Sequence, residues 1–226
     1  MVNEEQLLLG RKTQELLQAK KLVYQLIRKC INGDFYSQAT QDLFAIAMQS
    51  KKKNGFYLEV GGGHPSDSNN TFLLETEYQW SGCSLEYNED LVELYNRHRK
   101  NKAIHADATC FDYEKKLTSM SAPKQIDYLS IDIDPANNTY KALLAIPHQT
   151  YRFSVITFEH DRYQSGDKYM DLARSFLKSL GYQLVVSNVN VFGKDFEDWW
   201  VDPTVISSDK WLPFKHENIE FAKLWI

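Results

Sequence analysis

Phe56-Tyr57-Leu58-Glu59-Val60-Gly61-Gly62-Gly63-His64 is a short apolar run that carries one acid and closes on three glycines. Aromatic and branched residues in an uninterrupted run predict a strand buried on both faces. Three glycines then remove the side chains that would hold a ligand away from a sharply turning backbone. The stretch therefore predicts the first strand of an α/β sheet, with a binding site at its carboxyl end.

What surrounds the turn narrows its type. A dinucleotide fingerprint wants a third glycine where Ser66 stands, so the pyrophosphate reading weakens. No Gly-Lys-Ser or Gly-Lys-Thr follows, so there is no lysine to meet a triphosphate. Glu59, inside the strand, suits a ligand with an ammonium group, and S-adenosylmethionine has one.

At 226 residues and 43% hydrophobic content the chain is long enough for one well-buried domain and too short for a second full one. The net charge of −4 argues against nucleic acid as an obligatory partner, which basic surfaces recruit. Lys51-Lys52-Lys53, the one compact basic run, reads as a solvated loop ahead of the first strand. Cys30, Cys83 and Cys110 form an odd set without metal-like spacing and predict free thiols in a reducing compartment. With no apolar stretch of about 20 residues and no charged-then-apolar N-terminus, the expected location is cytoplasmic, without a membrane span.

Residues 4–31 are rich in helix formers, with Leu9, Leu16, Val23 and Ile27 on one side and Lys12, Lys20, Lys21 and Arg28 on the other. This predicts an amphipathic helix, interrupted near Gly10 if anywhere. It is expected to pack on its own domain, to mate with a second copy in a homodimer, or to form a lid. Asn32-Gly33-Asp34 breaks it, and 41–49 reads as a second helix, giving an N-terminal helical segment over 1–50 and a catalytic domain over 51–226. Strand candidates at 56–60, 82–86, 102–106, 126–132, 152–159 and 183–189 alternate with helices at about 68–77, 88–99, 137–146 and 167–180. That alternation predicts a parallel sheet covered on both faces, with right-handed crossovers. After 183–189 no helix separates the remaining apolar segments, so the last strand should return antiparallel. Seven strands with the last antiparallel is the Rossmann-like arrangement of class I methyltransferases.

In such sheets ligands sit outside the carboxyl ends of the strands. Those ends are acidic throughout: Glu59, Glu86, Asp107, Asp132 with Asp134, and Glu159-His160-Asp161. Glu86 lies 23 residues after Gly63, where a carboxylate accepts both ribose hydroxyls of an adenosine. Asp107, beside Ala108, is placed either to accept from an adenine amino group or to cap a helix.

Tyr36-Ser37-Gln38, Gln41-Asp42, Glu59-Val60-Gly61-Gly62-Gly63, His64-Pro65, Ser68 to Thr71, Trp80-Ser81-Gly82, Glu86 and Phe196-Glu197-Asp198-Trp199-Trp200 occur in that order. Over most of residues 36–203 the chain resembles the FkbM family of S-adenosylmethionine-dependent methyltransferases. The resemblance implies a class I fold and a methyl donor held by Glu59, Gly61, Glu86 and Asp107. It adds Gln38, Gly63, Ser68, Ala108 and Asp132 as donor-site candidates, and it implies O-methylation of a sugar or related natural product. Trp199 and Trp200 read either as a packed pair or as a platform for a sugar.

Asp132-Ile133-Asp134 and Glu159-His160-Asp161 end neighbouring strands, so several carboxylates should converge beside the donor and need a cation, a proton or a basic partner. The layout is similar to metal-dependent sugar O-methyltransferases, although Ile133 stands for their glycine and Glu159-His160 for two aspartates. That similarity implies magnesium or manganese on Asp132, Glu159 and His160, with Asp134 as general base; without metal His160 itself could be the base. The resulting expectation is an O-methyltransferase acting on a saccharide or glycosylated metabolite. The alternatives are another small-molecule, lipid or peptide acceptor, or a non-catalytic binding protein on the same fold.

Overall fold

The computed structural model describes residues 4–226, with side-chain surroundings described from Thr13 onward. Two compact units emerge: one comprises the N-terminal helix with Ala222–Ile226, the other Phe35–Phe221. In the first, α1 (Glu4–Ile31) runs as one uninterrupted helix through Gly10, with Arg28 and Lys29 in the last turn, where cations favour the helix dipole.

The second unit begins ahead of α2 (Gln41–Met48), so that helix belongs with the sheet. Then follow β1 (Phe56–Val60), α3 (Phe72–Tyr78), β2 (Ser81–Glu86), α4 (Glu89–His98), β3 (Ala103–His105), α5 (Tyr113–Ser119), β4 (Gln125–Ile131) and α6 (Ala136–Ala145). The second half has β5 (Arg152–Glu159), α7 (Arg162–Ser165), α8 (Lys168–Ser179), β6 (Gln183–Val191), β7 (Lys194–Val201), α9 (Ser208–Trp211) and β8 (His216–Glu217). The expected strands and helices appear within a few residues of their sequence positions. The short α5 and α7 carry too few apolar repeats to announce themselves.

The sheet order is β3-β2-β1-β4-β5-β7-β6-β8. The strands from β1 to β5 pair in parallel, and β7 is antiparallel to both β5 and β6. The antiparallel return is the Lys194–Val201 segment, reached by a tight turn at Phe192-Gly193, while the apolar 219–226 run forms no strand and β8 is a two-residue parallel addition at the edge. Strand order reverses between β1 and β4, which opens a crevice at their carboxyl ends.

Burial follows from parallel pairing. All five residues of β1 and six of seven in β4 are buried, because helices cover both faces. Leu58, Val60, Leu85, Leu129, Ile131, Ile156 and Trp200 belong to one contiguous core. Trp199 is also fully buried, against Phe44 at 4.8 Å between ring centroids. Both tryptophans are thus core residues, and neither offers a face to a sugar. Lys52 from the basic loop is spent on Asp127, at 2.7 and 2.9 Å. The cysteines are free thiols, with Cys83 buried and Cys30 and Cys110 exposed.

Candidate functional site

Two adjoining cavities open at the carboxyl ends of the strands. The first, about 300 Å³, is lined by Glu59, Gly61 to Gly63, Ser68 to Asn70, Glu86, Tyr87 and Asp132 to Asp134. The second, about 340 Å³, is lined by Leu85 to Tyr87, Ala106 to Thr109, Ile133, Asp134 and Asn138. They share Glu86, Tyr87, Ile133 and Asp134. Of the sequence candidates, Glu59, Gly61, Gly63, Ser68, Glu86, Asp107, Ala108, Asp132 and Asp134 line one or both. Gln38, Glu159 and His160 line neither.

The glycine loop has its composition for steric reasons. Gly61 has φ of +93°, and a Cβ there would lie 1.7 Å from the Asp132 carbonyl oxygen, so β1 and the β4 loop approach at a distance only glycine allows. Gly63, with φ of +52°, would meet nothing within 4 Å, and its bare backbone faces open space. Its N–H donates to Glu86 Oε2 at 2.8 Å, while Asn88 N–H donates to Oε1 at 2.7 Å. Glu86 is therefore aimed by two backbone donors and keeps further acceptor sites, since a carboxylate has about four.

Glu59 lines the first cavity from a buried position. It is 1% exposed, and its carboxyl accepts from Ser84 Oγ at 2.5 Å and Tyr95 OH at 3.1 Å. Burial pushes its pKa up, against the pull of Arg99 and of the Ser84, Thr71 and Tyr95 hydroxyls. Both donors meet the same oxygen, Oε2.

Arg99, just past α4, was unremarkable in sequence among the charges of Arg97-His98-Arg99-Lys100. Its side chain is fully buried, 3.2 Å from Glu75, and donates to the Pro65 carbonyl and Asn69 Oδ1, both at 2.9 Å, and to Thr71 Oγ1 at 3.1 Å. It stacks on Tyr95 at 4.6 Å. Asn69 also donates to the Gly62 carbonyl at 2.9 Å, so one guanidinium braces the segment from the glycine loop to α3.

Asp107 is exposed and its Oδ1 accepts from Thr109 N–H and Oγ1 at 2.8 and 2.7 Å, which holds its carboxyl below the usual range. The cap of α5 is Asp112, whose side chain accepts from Lys115 N–H, so Asp107 shapes the second cavity's rim by a local turn.

The acids of β4 and β5 pair with one another. Glu159 and Asp132 are hydrogen-bonded; burial first, then Asp132, drives Glu159 well above the carboxylate range, and burial raises Asp132 too. Burial and their mutual repulsion oppose ionising both at once. Asp161 is hydrogen-bonded to Asp134 and is pushed up to about 6 by burial, then by Asp134 and Asp132. On β7, Glu197 lies opposite Glu159 and is fully buried.

His160 does not join these acids. It is fully buried, its Nδ1 accepts from Arg162 N–H at 3.2 Å, and its Nε2 faces Asp198 Oδ1 at 3.4 Å, long for a hydrogen bond. Asp198 is clamped by Arg174 through Nε at 2.7 Å and a second nitrogen at 2.8 Å. The expected metal set of Asp132, Glu159 and His160 is corrected accordingly. The Nδ1 nitrogen accepts from Arg162, the buried Nε2 faces Asp198 without a hydrogen-bond partner among the described residues, and among those residues no group of three or more His, Cys, Asp or Glu is arranged to hold a metal. His160 lines neither cavity.

No protein-family model matches the chain, and no curated protein matches it. Solved structures do. One is described as the delta-N METTL16 MTase domain, at 8% identity, covering 84% of this chain and 98% of that one, with a TM-score of 0.51. Another is the O-methyltransferase from Bacillus cereus in complex with SAH, at 15% identity, 84% and 89% coverage, and a TM-score of 0.50. The fold is that of class I methyltransferases. At these identities the likeness concerns the fold, and the chemistry rests on the side chains above. No described helix is long and apolar enough to cross a membrane.

Proposed function

We propose that this chain is an S-adenosylmethionine-dependent O-methyltransferase whose acceptor is a hydroxyl of a saccharide or glycosylated metabolite. The observation that carries the donor half is the pair of cavities joined at Glu86, one acidic and one more apolar. An amino-acid end suits the first and an adenine the second, with Glu86 between them to accept from the ribose hydroxyls. The order of motifs from Tyr36 to Trp200 supports an FkbM-type member of the class.

When bound, S-adenosylmethionine supplies a methyl group on a sulfonium, so the protein's tasks are alignment and removal of one proton. Asp134 lines both cavities and is the proposed base: the acceptor oxygen bonds to the methyl carbon, the carbon–sulfur bond breaks, and the hydroxyl proton passes to the carboxylate. Asp161 lies beside Asp134, and the charge of each opposes ionisation of the other. No step is assigned to a metal. Acidic surroundings at the donor cavity suit a neutral, hydroxyl-rich acceptor better than an anionic one.

Titration calorimetry tests the donor half. The wild type should bind S-adenosylmethionine with micromolar to submillimolar affinity, and Glu86→Ala should weaken it at least tenfold by removing the ribose acceptor. Tight binding of NAD with none of S-adenosylmethionine would refute the reading. Incubation with labelled methyl donor and panels of saccharides, catechols, lipids and peptides tests the acceptor half.

A further inference from the structure

Asn69 and Asn70 are adjacent, both nearly buried, and differ in how their amides are used. Asn69 is spent on the fold: Oδ1 accepts from Thr71 N–H and Arg99, and Nδ2 donates to the Gly62 carbonyl. Asn70, 6% exposed, donates from Nδ2 to Ser130 Oγ at 2.9 Å, and its Oδ1 has no hydrogen-bond partner among the described residues. Ser130 lies on β4 directly opposite Glu59 on β1, so Asn70 is anchored over the seam where strand order reverses. Both asparagines line the first cavity.

A buried amide oxygen without a donor costs free energy, which a ligand's N–H recovers on binding. The cavity indicates the charge of that N–H. It is lined by Glu59, Glu86, Asp132 and Asp134 and, among the described residues, by no lysine or arginine. A cationic donor is favoured there. Glu59, the acid that sequence assigns to an ammonium, already accepts from two hydroxyls. Of the two cationic centres in the donor, a sulfonium has no N–H to give, whereas an ammonium has three.

We propose that Asn70 Oδ1 accepts an N–H from the primary ammonium of the methyl donor's amino-acid end and selects for ligands that carry it. The assignment rests on the methyl-donor reading and goes beyond it, since Asn70 replaces Glu59 as the ammonium's partner. Anchoring by Ser130 pre-orients the amide, so little rotamer freedom is lost on binding.

Two ligands separate this role from a structural one. S-adenosylhomocysteine carries the amino-acid end, and 5′-methylthioadenosine lacks it while keeping the nucleoside and thioether. In calorimetry, Asn70→Ala should weaken S-adenosylhomocysteine about tenfold to a hundredfold and leave 5′-methylthioadenosine unchanged. Asn70→Asp, which keeps acceptors at the same place, should retain wild-type affinity for S-adenosylhomocysteine or exceed it. Equal loss of both ligands in Asn70→Ala, no loss of either, or loss of S-adenosylhomocysteine alone in Asn70→Asp overturns the assignment. A wild type that binds neither overturns the methyl-donor reading itself.

Discussion

Glu197→Gln should abolish a loss of stability that the wild type suffers between about pH 4.5 and 8. Glu197 is fully buried on β7, and its Oε2 accepts from Trp199 Nε1 at 2.7 Å. Oε1 has no hydrogen-bond partner among the described residues; the Gln41 side chain faces the carboxyl, but its Nε2 does not reach Oε1 in hydrogen-bond geometry. Burial is the largest influence and, with Asp132 and Asp198 nearby, pushes the carboxyl from 4.5 up to about 8. A carboxyl raised on folding binds its proton more tightly in the native state. Its contribution is therefore complete below about pH 4.5 and is lost as pH rises through about 8. At about 1.36 kcal/mol for each pH unit, that interval is worth roughly 5 kcal/mol. Glutamine keeps the acceptor for Trp199 and carries no proton to lose. In urea unfolding from pH 5 to 9, the stability difference between variant and wild type should swing toward the variant by several kcal/mol as pH rises. Parallel curves, differing by less than about 1 kcal/mol across that range, would refute the reasoning.

Arg99→Met should destabilise by about 3–5 kcal/mol in the same assay, because it breaks the buried ion pair with Glu75 and unties Pro65, Asn69 and Thr71; Arg99→Lys should not rescue it, since one ammonium cannot replace a five-donor fork. A loss under about 1 kcal/mol would contradict the bracing role. Asp134→Asn should lower kcat about 10²- to 10⁴-fold with little change in donor affinity, measured by single-turnover methyl transfer and calorimetry; equal loss of binding and rate would remove it as the base. Exhaustive chelation should leave methyl transfer unchanged, and adding magnesium or manganese should not raise it. A strict metal requirement would overturn the placement of His160 against Asp198.

Much of the sheet was legible because its signals are local. Phe56–Val60 and Gln125–Ile131 are runs too short for helices and too apolar for exposed strands. Gly61 and Glu86 were legible through spacing, since a glycine turn and an acid at the end of the next strand are set by one βαβ unit. The short helices and the two-residue β8 were not, for want of a repeating pattern. Asn70 carried a faint signal in the paired asparagines after the glycine loop, and Arg99 carried none, because a buried arginine has the same letter as a solvated one.

Periodicity and turn chemistry act within a few residues, so the sequence by itself determined the alternating α/β plan, the loop at the end of β1 and the acidic strand ends. What each acid does was decided by tertiary structure, through the antiparallel insertion of β7 beside β5. That pairing sets Glu197 opposite Glu159 and Asp198 against His160, residues far apart along the chain. It turns an expected metal ligand into the buried partner of an arginine-clamped aspartate. Ser84 and Tyr95, brought to Glu59 by the β1–β2 pairing and by α4, likewise give that acid two hydroxyl donors from other parts of the fold. Pairings of this kind depend on register between distant strands, and no local pattern encodes it.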